Sequence, residues 1–222
     1  YYNNYSHERI LTTPSHYAYL KIAEGCNRMC SFCVIPLIKG KYISKSMGAI
    51  LKEAEVLADK GVKELILIAQ ETTYYGVDIY GERKLKILIE ELTKINGIEW
   101  IRLHYTFPLA FPKDVLMLMK DSKKVCHYID IPLQHINDRI LTSMKRQVSK
   151  LRIINLIKKM RDIVPDVAIR TSFIVGYPGE TEAEFEELCN FVREQKFERV
   201  GVFMYSHEEG SYAYNNLEDN IA

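Results

Sequence analysis

Three cysteines, Cys26, Cys30 and Cys33, lie within eight residues of one another in the segment GCNRMCSFC. Thiolates are the usual protein ligands of iron–sulfur clusters and of structural zinc, so this spacing predicts a metal site. Three thiolates leave one corner of a four-iron cluster without a protein ligand. That iron can bind a substrate or cofactor, so the pattern indicates chemistry and not only electron storage.

Three other interpretations of the cysteines compete with the cluster. Positions i, i+4 and i+7 share one face of a helix, which would make a buried stripe, but Gly25 and Pro36 disfavour a continuous helix here. A zinc site needs a fourth ligand, and His16 or a more distant histidine would have to supply it. Disulfides fit poorly, because three crowded cysteines leave an odd thiol. The cluster is favoured, and zinc is the main alternative.

Composition narrows the class of protein. The chain of 222 residues is 47% hydrophobic and 27% charged, which suits one large domain such as an α/β barrel. Its formal net charge of +1 gives no electrostatic footprint of a nucleic-acid binder. No apolar run approaches the roughly 18 residues of a membrane span, and no signal peptide is recognisable. We therefore expect a cytoplasmic protein with no membrane partner.

The elements that must position the cysteines alternate between strand-like and helix-like patterns. Six short apolar runs predict strands, at residues 17–22, 64–69, 99–103, 128–131, 167–175 and 199–205. Six β-then-α units predict parallel strands in a partial, open (β/α)6 barrel of the TIM type. A six-stranded doubly wound sheet is the alternative topology.

The other two cysteines are predicted to be packing residues. Thr181 and Glu184 have the spacing of a capping box, and Cys189 lies on the apolar stripe of the helix that follows. Cys126 opens a predicted strand. The basic residues between 145 and 161 alternate with apolar ones, which indicates the solvated face of an amphipathic helix.

Polar, aromatic and glycine residues gather where the predicted strands end. The first strand runs into the cysteine segment. The loops after the other five strands hold Gln70, His104, Gln134, Gly176 and His207. In parallel α/β folds the active site lies at the carboxyl ends of the strands. The sequence therefore predicts a polar cavity over the cysteines.

The cysteine spacing, with an aromatic residue before the last cysteine and a predicted strand before the first, resembles the radical S-adenosylmethionine (SAM) superfamily. Within it, YAYLKIAEGCN at residues 17–27, YIDIPLQH at 128–135 and RTSFIVGYPGE at 170–180 are similar to the methylthiotransferases. The segment IAQETTYYG at 68–76 resembles the branch that modifies an aspartate of a ribosomal protein. The branch that modifies adenosine in tRNA is the alternative, although its corresponding loop usually reads GQNVN.

The resemblance implies a [4Fe-4S] cluster bound by Cys26, Cys30 and Cys33, with SAM on the fourth iron. One-electron reduction then breaks a carbon–sulfur bond of SAM and generates a radical that abstracts a substrate hydrogen atom. The implied substrate is an aspartate β-carbon of ribosomal small-subunit protein twelve. The implied electron donor is a reduced flavodoxin or ferredoxin. A structural metal-binding module without catalysis is the alternative from a different class.

Candidate SAM contacts also follow from the resemblance. Phe32 would stack near the adenine, or else pack in the core. Gln70 would meet the methionine amino group, or make an ordinary loop hydrogen bond. Arg170 would clamp the SAM carboxylate, or pair with an acid such as Asp130. Gln134 is a candidate for the ribose or the substrate.

Two further rim residues have structural alternatives. Gly176, in the turn GYPG, would bring the backbone close to a ligand or simply precede the capped helix. His135 is also a candidate for the ribose or the substrate, but a lone histidine is more often a structural group, and we expect that role here.

Members of this family carry an amino-terminal domain with a second [4Fe-4S] cluster and a carboxyl-terminal RNA-binding-like module. We therefore expect residues 1–13 to be a linker from the first and residues 210–222 to be an exit linker towards the second. Residues 14–209 are predicted to be the catalytic core. By itself, this core is expected to cleave SAM without completing sulfur insertion.

Overall fold

The computed structural model describes residues 10–221, and six parallel strands form its central sheet. The strands of the described chain are β1 (Tyr17–Lys21), β2 (Ala23–Glu24), β3 (Ile43–Ser44), β4 (Glu64–Ile68), β5 (Trp100–Leu103), β6 (Val125–Asp130), β7 (Ala168–Val175) and β8 (Arg199–Met204). The helices are α1 (Ile35–Lys39), α2 (Met47–Asp59), α3 (Val77–Tyr80), α4 (Leu85–Thr93), α5 (Lys113–Asp121), α6 (Asp138–Ser143), α7 (Lys150–Ile163), α8 (Glu182–Gln195) and α9 (Tyr212–Asn216), with a 3-10 turn at Thr72–Tyr74.

The order of the strands decides between the two predicted topologies. The central sheet runs β1-β4-β5-β6-β7-β8, so its strands are neighbours in the order in which they occur along the chain. Strands β2 and β3 form a separate antiparallel pair. Right-handed crossovers that always advance in one direction keep their helices on one face of the sheet. A doubly wound sheet would reverse that direction. The open, partial barrel is therefore confirmed, and the doubly wound alternative is wrong.

The two faces of the sheet differ in polarity. Leu20, Ile101 and Ile169 are fully buried in the main core cluster, which also contains side chains of α2, α4 and α7. Because successive side chains of a strand point to opposite faces, their neighbours line the concave face. Tyr19 is 38% exposed there, and the Arg170 side chain is 42% exposed. The fold thus leaves an open, polar lumen under the carboxyl ends of the strands.

The predicted strands all occur, with small shifts at their ends. Strand β6 begins at Val125, three residues before the predicted start, so Cys126 is its second residue. Helix α7 buries Ile153, Ile157 and Met160, so the basic residues from position 150 to 161 lie on an amphipathic helix as predicted. The prediction is wrong for Lys145 and Arg146, which precede the helix, and Arg146 is buried. None of the helices between residues 10 and 221 is long and apolar enough to cross a membrane.

Part of the segment predicted as an exit linker, residues 210–222, is folded onto the core. Ser211 caps α9, where its side chain accepts a hydrogen bond from the Tyr214 N–H at 3.1 Å. Ala213 is fully buried in a small apolar cluster with Ile140, Met144 and Tyr177. A five-residue helix is too short to show periodicity in the sequence. Residues 1–9 lie outside the described residues, so the amino-terminal linker stays a prediction.

The capping box at the start of α8 is confirmed. The Glu184 carboxylate accepts hydrogen bonds from the Thr181 N–H at 2.9 Å and from the Thr181 hydroxyl at 2.8 Å. It also accepts one from Arg139 Nε at 2.7 Å. The Arg139 hydrogen bond, helped by Thr181, outweighs burial and lowers the pKa of Glu184 from 4.5 to about 2.

Replacing Glu184 with glutamine should make the stability of the protein less dependent on pH. Since the pKa of Glu184 is lower in the folded than in the unfolded chain, its contribution is present above pH 4.5 and is lost as the pH falls towards 2. We expect Glu184→Gln to lower the free energy of unfolding by about 1 kcal/mol at neutral pH. The difference in urea denaturation should shrink by about pH 3. A difference that stays constant with pH, or an equal loss in Glu186→Gln, an exposed position on the same helix, would contradict this.

Candidate cluster and cofactor site

The three cysteines lie in a loop without regular structure, residues 25–34, between β2 and α1. The helical-stripe interpretation is therefore wrong, and a short helix begins only after Cys33, with Pro36 in its first turn. Cys30 is buried, Cys26 and Cys33 are partly buried, and all three are free thiols. Burial, reinforced by the neighbouring thiols, raises the pKa of Cys26 and Cys33. A metal would displace their protons on binding.

Ser31 holds the cysteine loop to three other parts of the chain. Its N–H donates to the Met144 carbonyl at 3.0 Å, and its hydroxyl donates to the Ser143 carbonyl at 2.8 Å. The Tyr177 hydroxyl lies 2.8 Å from the same Ser31 oxygen. The Ala213 N–H donates to the Ser31 carbonyl at 2.7 Å. Ser31 is fully buried, so these bonds fix the loop from its centre.

The segment between α1 and β3, residues 40–42, holds the beginning of the loop. The Cys26 N–H donates to the Gly40 carbonyl at 3.2 Å, and Asn27 Oδ1 accepts from the Tyr42 N–H at 3.0 Å. Gly25 has a φ of +78°, and a Cβ there would lie 2.2 Å from the Lys41 carbonyl oxygen. Only glycine fits this close backbone approach.

Two arginines stack on the Phe107 ring beside the cysteines. The Arg28 guanidinium lies 4.2 Å from the ring centroid, and that of Arg146 lies 4.3 Å from it. Arg28 binds the Glu71 carboxylate with two hydrogen bonds of 2.7 Å. Arg146 Nη1 instead donates to Cys30 Sγ at 3.3 Å. The site therefore combines thiols with buried positive charge.

Gln70 comes close to the cysteine loop through Glu24. Its Nε2 donates to Glu24 Oε1 at 3.3 Å, two residues before Cys26. Its Oε1 is buried and has no hydrogen-bond donor among the described residues. An unsatisfied buried acceptor is costly unless a ligand supplies the donor. This oxygen fits the ammonium group of SAM, a contact that stays a prediction, while the ordinary loop hydrogen bond to Glu24 satisfies only the nitrogen.

The register of the sheet places Arg170 beside Asp130, the last residue of β6. Arg170 Nη1 donates to Asp130 Oδ1 at 3.1 Å, so the structural partner anticipated from the sequence is present. The contact between Arg170 and the SAM carboxylate stays a prediction, and it would use the guanidinium nitrogens that do not contact Asp130.

Gln134 lies next to β7 and is held there by its backbone. Its N–H donates to the Ser172 carbonyl, and its carbonyl accepts from the Ile174 N–H. Its φ of 75° is rare for a residue with a side chain. These bonds leave the side-chain amide of Gln134 for the predicted contact with the ribose or the substrate, which stays a prediction.

Phe32 is partly buried against the small apolar cluster around Tyr177, so its packing alternative is realised. Its stacking on adenine stays a prediction. Gly176 has a φ of +70°, and its N–H donates to Glu180 Oε2 at 2.5 Å. A Cβ on Gly176 would meet only Ile221, at 3.7 Å, so the position is not crowded. The positive φ of the turn, and not a lack of space, therefore favours glycine.

His135 is a structural group, as expected. It is fully buried, its Nε2 lies 2.9 Å from Glu180 Oε1, and its Nδ1 accepts from the Asn137 N–H at 3.0 Å. Since Nδ1 accepts, Nε2 carries the proton and donates to Glu180. The pair holds the turn that contains Gly176. Both ring nitrogens of His135 are thus used within the protein.

The residues present fit the [4Fe-4S] cluster and SAM that the resemblance implies. The loop offers three free thiols, Gln70 offers an acceptor, and a buried guanidinium faces Cys30. Between residues 10 and 221, no three His, Cys, Asp or Glu side chains gather around a single ion position. A four-iron cluster does not require this, because each thiolate binds a different iron.

The sequence comparison agrees with this geometry. The sequence model of the radical SAM superfamily matches residues 20–192, and the chain belongs to this superfamily. It is 60% identical over 212 residues to the ribosomal protein uS12 methylthiotransferase RimO of Flavobacterium psychrophilum, covering 96% of this chain and 49% of that protein. The RimO of Phocaeicola vulgatus is 51% identical over 222 residues, covering 100% of this chain and 51% of the relative. The chain thus spans about half the length of these relatives.

Solved structures with the same fold include two enzymes of low sequence identity. The radical SAM methyltransferase TsrM of Kitasatospora setae superposes with a TM-score of 0.70 at 18% identity, over 85% of this chain and 36% of that chain. Coproporphyrinogen III oxidase HemN of Escherichia coli gives a TM-score of 0.65 at 20% identity, over 90% of this chain and 46% of that chain. At these identities the likeness establishes the fold alone.

Sequence reasoning missed the polar residues that surround the cysteines. Arg28 and Glu71 are 43 residues apart, and Arg146 is 116 residues from Cys30. No spacing rule connects positions so distant. In the sequence, each of them is simply a charged residue in a loop after a strand or helix. Ordinary surface residues have the same pattern.

We expect Gly25→Ala to disrupt the cysteine loop, because its Cβ would overlap the Lys41 carbonyl. Gly81→Ala is the matched control, since Gly81 has a φ of +74° and a Cβ added there would have nothing within 4 Å. The control should lose only about 1 kcal/mol of unfolding free energy. Gly25→Ala should lose more in thermal melts and should bind less iron after reconstitution. Equal effects of the two substitutions would show that the close contact is unimportant.

Alanine at any of Cys26, Cys30 or Cys33 should abolish cluster binding, because each removes one of three protein ligands. Cys126→Ala and Cys189→Ala should retain it, since these thiols lie in β6 and α8, away from the loop. The measurement is iron and sulfide content with the visible absorption spectrum after anaerobic reconstitution. Loss of the cluster in either control, or full iron content in a loop variant, would overturn the ligand assignment.

Proposed function

We propose that this chain is the radical SAM core of a methylthiotransferase that modifies an aspartate β-carbon of ribosomal protein uS12, the small-subunit protein twelve. The observation that carries the proposal is the loop of three free thiols that follows β1 and the short β2. The relatives named ribosomal protein uS12 methylthiotransferase, at 51–60% identity, support the choice of substrate.

Each part of the site has a role in this proposal. Cys26, Cys30 and Cys33 would hold the cluster, and Gln70 Oε1 would accept a hydrogen bond from the SAM amino group. When bound, the reduced cluster and SAM supply a one-electron cleavage of a carbon–sulfur bond. The guanidinium nitrogens of Arg170 that do not contact Asp130 would bind a carboxylate in the lumen.

The partners of the reaction follow from the same proposal. The electron comes from a reduced flavodoxin or ferredoxin in the cytoplasm. A second [4Fe-4S] cluster, carried by an amino-terminal domain, takes part in sulfur insertion. The 222-residue chain by itself is therefore expected to cleave SAM without completing the methylthio group.

The first test is SAM cleavage by the reconstituted chain. With dithionite and SAM under anaerobic conditions, we expect 5′-deoxyadenosine in the wild type and none in Cys30→Ala, measured by liquid chromatography. Zinc in place of iron, with no 5′-deoxyadenosine, would reject the enzyme in favour of a structural metal module.

The second test concerns the substrate and uses the protein joined to its amino-terminal domain. Ribosomes and tRNA are supplied in separate reactions, and mass spectrometry follows the methylthio group. Modification of a uS12 peptide supports the proposal. Modification of tRNA alone would contradict it and assign the chain to the tRNA-modifying branch.

A further inference from the structure

Arg146 is a buried cation without a carboxylate partner in the described part of the chain. The residue is 4% exposed. Its Nη1 donates to Cys30 Sγ at 3.3 Å, its Nη2 donates to the Pro132 carbonyl at 2.5 Å, and its Nε has no acceptor among the described residues. Its guanidinium lies over the Phe107 ring. The acidic side chains nearest the site pair with other cations, as Glu71 does with Arg28 and Asp130 with Arg170.

Arg28, on the same aromatic ring, shows the contrast. Glu71 binds it through both carboxylate oxygens at 2.7 Å, so its charge is neutralised within the protein. Burial alone would lower the pKa of Arg28, but Glu71 outweighs burial and raises it. The two guanidinium groups therefore share a ring but not an electrostatic environment.

An uncompensated buried charge is costly, so buried charges in proteins are normally paired. The sulfur to which Arg146 donates belongs to Cys30, a proposed cluster ligand. A thiolate-bound iron–sulfur cluster is negative, and its reduction adds one more negative charge without forming or breaking a bond. A fixed cation beside a ligand sulfur stabilises the reduced form more than the oxidised form. Hydrogen bonds to the sulfurs and net charge are general determinants of cluster potential.

We propose that Arg146 is a positioning residue for the cluster: it orients the Cys30 sulfur and raises the reduction potential, so that the electron donor can reduce the cluster more easily. This inference rests on the proposed function in one respect, that Cys30 binds the cluster. The electron enters the cluster from the donor, and no proton or leaving group is involved.

The test compares Arg146→Gln, which removes the charge, with Arg146→Lys, which keeps it. Arg152→Gln is the matched control, because Arg152 is exposed on α7. Each reconstituted protein is titrated with dithionite against redox mediators, and the reduced cluster is followed by electron paramagnetic resonance. We expect a more negative midpoint potential in Arg146→Gln, a smaller shift in Arg146→Lys, and no shift in Arg152→Gln.

The outcomes separate this inference from the proposed function. If the reconstituted wild-type protein holds no four-iron cluster, both the proposed function and this inference fail. If the wild-type protein holds the cluster and Arg146→Gln has the same midpoint potential, the inference about Arg146 fails while the proposed function stands. If Arg146→Gln cannot bind iron but Arg146→Lys can, the charge is required, which supports the inference. If both lose iron equally, the charge is not what matters and the inference fails.

Discussion

The cysteine loop has no regular structure, so its shape depends on hydrogen bonds supplied by the rest of the fold, and Ser31 takes part in four of them. Its amide, carbonyl and hydroxyl are all bonded to backbone or side chains at α6, at α9 and at Tyr177. A buried polar residue that lost these partners would be strongly destabilising. The same bonds that satisfy Ser31 therefore set the positions of Cys30 and Cys33 on either side of it.

The strand register explains why the candidate site residues lie at the same edge of the sheet as the cysteine loop. Leu67, Leu103 and Ile129 are partners across β4, β5 and β6, so these strands end at a common height. Strand β7 continues beyond that height, and its pairing with Gln134 extends the wall of the lumen. A level rim brings Gln70 and Asp130 to the same edge, although they are far apart in sequence.

The sequence was sufficient to predict the parts of this structure that depend on interactions between residues close together in the chain. Apolar runs and turn residues located the six strands, and the spacing of Thr181 and Glu184 located a cap, because both patterns depend on neighbours a few residues away. The pairing of Arg28 with Glu71 and the burial of Ala213 could not be predicted in this way. They depend on which loops the barrel brings together, and a short polar helix such as α9 carries no periodic signal.

The contact between Ser31 and Ala213 joins residues that lie before and after almost the entire barrel. During synthesis the cysteines leave the ribosome early, while the last element that holds their loop is made only after β8 has been translated. The loop therefore reaches its final shape after the barrel is complete. Until then the growing chain presents its three thiols on a loop that lacks the hydrogen bond from the Ala213 N–H to the Ser31 carbonyl.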